Sequence, residues 1–168
     1  GFGRSDPYPG SLSSDFMRDE AATSVPRLRE QLGFDAMIPF GHSVGGAMAV
    51  ATAMHLPDCC VALVTESAQA FVEDRTLAGI RAAQAAFRDP DEFERLERYH
   101  GRKARWVLDA WTETWLAPTF KSWSLDDDLR QVRCPTLAIH GDQDEYGSLR
   151  HLERIACLTC RDLHLRNG

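Results

Sequence analysis

A five-residue turn, Gly41-His42-Ser43-Val44-Gly45, constrains the fold of this chain more than any other feature. The G-x-S-x-G pattern by itself is weak, because glycine and serine are common and a plain Ser/Gly turn satisfies it. The flanks give it meaning. Ala36-Met37-Ile38-Pro39-Phe40 reads as a short apolar strand entering the turn, and Gly46 to Met54 reads as a buried helix, ended by Pro57. A strand that reverses this sharply into a helix needs neighbours without side-chain bulk, and it holds the Ser43 hydroxyl exposed on a strained bend. That is the context of a nucleophile elbow, so Ser43 is a candidate nucleophile.

The rest of the chain is organised around alternation. Gly1 to Gly10 is a turn-rich loop. Ser14 to Leu32 reads as a helix with Val25, Leu28 and Leu32 on one face, broken or restarted at Pro26, with Ser24 as a cap for the second piece. Val61-Ala62-Leu63-Val64-Thr65 is a second, fully buried type of strand. From about Ala68 to Arg130 only helical patterns occur, striped by Leu77, Ile80 and Phe87, then Phe93 and Leu96, then Val107, Ala110, Trp111 and Trp115. Strand character returns at Leu137-Ala138-Ile139-His140. A helix over Gly147 to Leu158 follows, then a last strand at Leu163-His164-Leu165. Strand, helix, strand, helical insertion, strand, helix, strand predicts an α/β fold with a parallel sheet and helices on both faces. Pro39 sits awkwardly in this scheme, since it cannot donate a ladder bond. The pattern predicts core segments at 1–67 and 132–168 and a helical lid at 68–131.

Composition excludes several classes. The 168 residues suit one domain, 43% hydrophobic and 26% charged. A net charge of −6 argues against nucleic acid or an anionic membrane as partner. No apolar run approaches the roughly 20 residues of a membrane span. No basic-then-apolar leader marks export, and the five cysteines suggest reduced thiols, so a cytoplasmic protein is expected. Cys157 and Cys160 form a C-x-x-C with His164 close behind, but at the end of a helix rather than its start, which favours incidental thiols over a redox or metal site. The abrupt opening at Gly1-Phe2-Gly3-Arg4 and the stop just after a strand-like segment predict a piece of a longer protein.

A serine hydroxyl needs a base to take its proton and an acid to hold that base. The best acid lies in His140-Gly141-Asp142-Gln143-Asp144-Glu145, just after a strand, where a turn delivers side chains to the carboxyl edge of a parallel sheet. Asp144 is the preferred carboxylate, with Asp142 as a turn-former and Glu66 as an alternative acid or pocket group.

Together, Gly1-Phe2-Gly3-Arg4-Ser5-Asp6, Gly41-His42-Ser43-Val44-Gly45-Gly46 and His140-Gly141-Asp142-Gln143-Asp144 resemble the α/β-hydrolase superfamily over essentially the whole chain. Phe71-Val72-Glu73-Asp74 and the Trp-rich helices resemble its capped serine hydrolases, the valacyclovir-hydrolase-like and ring-cleavage-product-hydrolase-like branch. The resemblance implies a partial α/β-hydrolase fold with a helical lid inserted between two strands. It implies Ser43 as nucleophile, Asp144 as triad acid and the Val44 N–H as one oxyanion-hole donor. Serine at the elbow implies an acyl-enzyme route. Two parts implied by the family fall elsewhere: a second oxyanion donor expected before Gly1 and a catalytic histidine expected beyond Gly168, with the early strands of the fold also absent. His42 is the variable elbow position, His140 packs at a strand end, and His55, His100 and His151 fall on helices or the lid. His164 lies within the last strand. The segment alone is therefore expected to be a poor catalyst.

The expected reaction is cofactor-independent cleavage of a small carboxylic ester, thioester or related carbonyl substrate, with no metal. Trp106, Trp111, Trp115 and Trp123 all fall in the lid. They suit either an apolar or aromatic acyl group or simply the lid's own core. The alternative reading is a non-catalytic ligand-binding protein on the same fold.

Overall fold

Three short parallel strands carry the architecture of the computed structural model, which describes residues 2–8 and 12–159. Strands β1 (Phe40–His42), β2 (Leu63–Glu66) and β3 (Thr136–Ile139) lie side by side in that order. Phe40, Val64 and Leu137 share one rung of the ladder, and His42, Glu66 and Ile139 the rung two residues further on. Because all strands run the same way, their carboxyl ends and the turns that follow collect at one edge.

The chain divides into two compact units, Asp15–Phe71 with Ser124–Gly168, and Gly1–Ser14 with Val72–Trp123. The first holds the sheet. Helix α2 (Val44–His55) leaves the turn after β1 and packs on β1 and β2. Its residues are small enough for close approach, and Val50, Ala51 and Ala53 are fully buried. Helix α1 (Phe16–Leu32) packs on α2. The short α6 (Asp126–Leu129) packs on α2 and on α7 (Arg150–Thr159), and α7 covers β3. Arg18 Nε donates to the nearly buried Asp128 Oδ2 at 2.9 Å, tying α1 to α6.

Side chains alternate across a strand. Leu63 and Thr65 are buried, whereas Phe40, Leu137 and Ile139 on the other face are 63%, 57% and 46% exposed. Among the described residues, helices therefore cover chiefly one face of the sheet, not the two expected.

Three local expectations need correction. Helix α1 runs unbroken through Pro26. Ser24 does not cap a second piece: its hydroxyl donates to the Glu20 carboxylate one turn back, and Thr23 Oγ1 donates to the Asp19 carbonyl at 2.6 Å. The buried face of α1 is Phe16, Met17 and Ala21, while Leu28 and Leu32 are 49% and 72% exposed. The ladder of β1 begins at Phe40 rather than Ala36, because Pro39 has no N–H to offer. Pro39 contributes only its carbonyl, which accepts from Val64 N at 2.9 Å, and Met37 forms an isolated bridge with Cys60.

The second unit is helical, with α3 (Asp74–Ala86), α4 (Pro90–His100) and α5 (Ala104–Leu116). Asp89 caps α4 by accepting from Asp91 N at 2.9 Å, with Pro90 at the first helical position. Ile80, Leu108, Trp115 and Phe120 are buried. Trp115, Phe120 and Trp123 form one aromatic cluster with centroids 5.2–5.5 Å apart, and Trp106 packs against Phe2 and Tyr8. These three tryptophans thus serve as packing within their own unit. The last predicted strand, Leu163 to Leu165, with His164 and Cys160, lies outside the described residues.

Candidate active site

Ser43 sits between β1 and α2 with φ 54° and ψ −123°, a backbone state that a residue with a side chain enters only at a cost. The neighbouring contacts enforce it. Ser43 N donates to the Glu66 carbonyl at 2.9 Å, and Gly46 N donates to the Ser43 carbonyl at 2.9 Å. A Cβ on Gly41 would lie 1.9 Å from the Gly45 carbonyl oxygen, and one on Gly46 would lie 2.4 Å from the Ala68 Cβ. These two positions require glycine. Gly45 does not, since a Cβ there meets open space. The sequence pattern attributed the requirement to the whole turn. The structure divides it between Gly41 and Gly46, the second lying just outside the five-residue motif.

Val44 is the first residue of α2. N–H groups in the first turn of a helix have no acceptor within it, and the helix dipole makes that end favour negative charge. The Ser43 hydroxyl and the Val44 N–H therefore belong to one helix start.

Asp144 lies in the loop between β3 and α7. Its Oδ1 accepts from Tyr146 N at 2.8 Å and from Gly147 N at 2.9 Å. Burial alone would push this carboxyl's pKa up. The hydrogen bonds from Tyr146 N, the Ser67 side chain and Gly147 N, with His140 nearby, outweigh that effect and hold it below the ordinary aspartate value. Asp144 is thus an ionised, oriented carboxylate. Glu66 is a strand residue opposite His42 and Ile139, and Asp142 is exposed at the loop surface.

The turn after β2 joins these two places. Ser67 has φ 46°, its N–H donates to the Ile139 carbonyl at 2.9 Å, and its side chain bonds Asp144. Two residues on, the Ser43 hydroxyl donates to Gln69 Oε1 at 3.4 Å. Ser43 and Asp144 follow strands two places apart, about 10 Å at the usual spacing, with Ser67 and Gln69 just beyond the end of the strand between. Sequence reading missed both. The signal was a polar run, Thr65-Glu66-Ser67-Ala68-Gln69, emerging from a buried strand at the functional edge.

The described histidines have other work. His151 is fully buried, and its Nδ1 accepts from Ala70 N at 3.2 Å. His140 lies near it with ring centroids 6.0 Å apart, and among the described residues its buried Nε2 has no hydrogen-bond partner. His100 Nδ1 accepts from Gly3 N at 2.8 Å. His42 and His55 are exposed. Among the described residues, the Ser43 hydroxyl meets a carboxamide and not an imidazole.

Cys59, Cys60 and Cys134 precede strands β2 and β3, at the ends opposite the turn that carries Ser43. Cys60 is buried, and desolvation together with neighbouring Cys134 and Cys59 pushes its pKa up to about 12, which keeps it an inert thiol. Cys157 is exposed. Among the described residues no three His, Cys, Asp or Glu side chains converge as a metal site, and no helix is long and apolar enough to cross a membrane.

A parallel sheet with a strained serine between strand and small-residue helix, and an acid after a later strand, defines a class of proteins. The chain belongs to the alpha/beta hydrolase fold family, whose pattern matches residues 1–105. Among solved structures it is similar to an alpha/beta fold family hydrolase from Bacillus anthracis, with a TM-score of 0.66 and 19% identity over 93% of this chain and 67% of that one. A serine hydrolase involved in carbazole degradation aligns with a TM-score of 0.66 and 19% identity, over 94% and 63% of the two chains. A meta-cleavage product hydrolase from Pseudomonas fluorescens aligns with a TM-score of 0.57 and 20% identity, over 92% and 62%. The chain thus spans 62–67% of the length of these three structures. A comparison with curated protein sequences finds no match.

Proposed function

We propose that the protein is a serine hydrolase that cleaves a small carboxylic ester, thioester or related carbonyl substrate through an acyl-enzyme. The observation that carries this reading is the strained backbone of Ser43 at the carboxyl edge of the sheet, held by Gly41 and Gly46. Such strain persists where surrounding structure over-determines it, and here it exposes a hydroxyl at the start of a helix.

In the proposed reaction Ser43 Oγ attacks the substrate carbonyl while an imidazole takes its proton, and the carbonyl electron pair moves onto oxygen. The Val44 N–H donates to that oxygen. Collapse of the tetrahedral adduct expels the alcohol or thiol, which receives the proton, and water then releases the acid by the same steps. Asp144 orients the imidazole and stabilises its charged form. The imidazole is assigned to a residue beyond Gly168 and a further oxyanion donor to one before Gly1, both in keeping with the superfamily resemblance. The acyl group is proposed to be apolar or aromatic and the setting cytoplasmic, with residues 68–131 acting as a lid.

The test is labelling of the protein in its full natural length with a fluorophosphonate. Labelling at Ser43 that is abolished by Ser43→Ala is expected. No labelling, or labelling that survives that substitution, rejects the proposal. Retained ligand binding without labelling or turnover supports the alternative of a non-catalytic binding protein.

A further inference from the structure

A buried carboxamide meets the serine from the neighbouring strand end. Gln69 is 5% exposed and lies three residues beyond β2. Its Oε1 accepts the Ser43 hydroxyl hydrogen at 3.4 Å. Its backbone is pinned on both sides. Ala68 packs so closely on Gly46 that a Cβ there would lie 2.4 Å away. Ala70 N donates to His151 Nδ1 at 3.2 Å, and the Ala70 carbonyl accepts from Leu125 N at 2.8 Å. A long polar side chain is thus held out of water and aimed at the one hydroxyl that the turn exposes.

We infer that Gln69 is a catalytic residue, its carboxamide accepting the Ser43 O–H at rest and donating from Nε2 to the substrate oxygen that becomes negative on attack. The inference deepens the proposed function and rests on Ser43 being the nucleophile. It follows from what attack does to the hydrogen bond. The Ser43 proton leaves for the base, Oγ bonds to carbon, and the carbonyl electron pair moves to oxygen. Gln69 Oε1 then faces an Oγ with no hydrogen, and a buried acceptor without a donor is unfavourable. Rotation about the last side-chain bond exchanges the two ends of the carboxamide and turns an N–H toward the adduct, whose negative oxygen is borne by the carbon that Oγ has just bonded. A donor that finds its partner only after attack stabilises the transition state more than the ground state. Within the described residues it supplements the Val44 N–H.

The experiment uses p-nitrophenyl butyrate with the full natural-length protein and three variants. Gln69→Met keeps the length without hydrogen bonding, Gln69→Glu keeps the acceptor but donates only when protonated, and Gln69→Asn keeps both functions on a shorter arm. The expected result for Met, and for Glu at pH 8, is a fall in kcat of about 10²–10³. KM and the unfolding midpoint should stay close to wild type, and Asn should lose less. The Glu-to-wild-type ratio of kcat should rise as pH falls from 8 to 5, because a protonated carboxyl regains a donor. A merely structural Gln69 would leave that ratio flat. A Met variant within about threefold of wild-type kcat, a loss confined to KM, or a flat Glu ratio each overturns the inference. If the Met variant does not fold, the near-isosteric Glu variant decides. Ser43 labelling separates the two claims. A wild-type protein that is not labelled at Ser43 removes both, whereas normal labelling with unimpaired Gln69 variants removes the role of Gln69 alone.

Discussion

An added methyl group tells Gly41 and Gly45 apart. At Gly41 it would meet a backbone carbonyl oxygen at 1.9 Å, which no side-chain rotation relieves, whereas at Gly45 it meets open space. Gly41→Ala is expected to destabilise by about 4 kcal/mol or more, in the range of severe steric and backbone strain. Gly45→Ala, inside the first turn of α2, is expected to be neutral or stabilising by about 0.5–1 kcal/mol. Urea unfolding of both variants checks this, and equal effects would show that the turn is not built as described. The same scale shows what sequence can reveal. The bend at Ser43 is readable because the residues that create it are adjacent. Gln69 is not, because its approach to Ser43 depends on β2 lying beside β1.

Elements were legible where patterns are strong and local. The small-residue run of α2 and the three helices between Asp74 and Leu116 fall close to their expected places. The stripe Val25, Leu28, Leu32 falls within α1, yet Leu28 and Leu32 are exposed, because apolar spacing says which face of a helix is greasy, not whether anything covers it. Pro26 misled because the packing of the α1 amino-terminal half on α2 tolerates a lost hydrogen bond. The β3–α7 loop adds a pH dependence. Asp144 has its pKa lowered in the folded state, so its contribution is fully present above the unfolded aspartate value, about 3.9. It fades as pH falls from there through the lower folded value. The stability difference between wild type and Asp144→Asn should therefore be constant from pH 7 to about 5 and close below about 4. Chemical unfolding at each pH measures it, and a gap that widens in acid would reverse the sign argued here.

For the molecule as a whole, the open sheet face has the largest consequence. Phe40, Leu137 and Ile139 lie on one side of a parallel sheet, an arrangement normally covered on both sides. Made alone, the 168-residue chain should bind 8-anilinonaphthalene sulfonate and self-associate through this face. Leu137→Lys should lower both the dye fluorescence and the apparent mass in light scattering; a monomeric, dye-silent wild-type chain would contradict the exposed face. The parallel order was readable from alternation of strands and helices. The bare face was not, since apolar strand residues look the same covered or uncovered.

Where the helical segment departs and where the chain comes back, the backbone is fastened to itself. Phe71 pairs antiparallel with Ser124, and the Leu125 N–H bonds the Ala70 carbonyl at 2.8 Å. Closing the gap at this clasp demands almost no span, so residues 72–123, which share a compact unit with Gly1–Ser14, leave and rejoin the sheet-bearing unit at one place. An engineer is free to shorten or replace residues between Phe71 and Ser124 while the turns that carry Ser43 and Asp144 stay where they are.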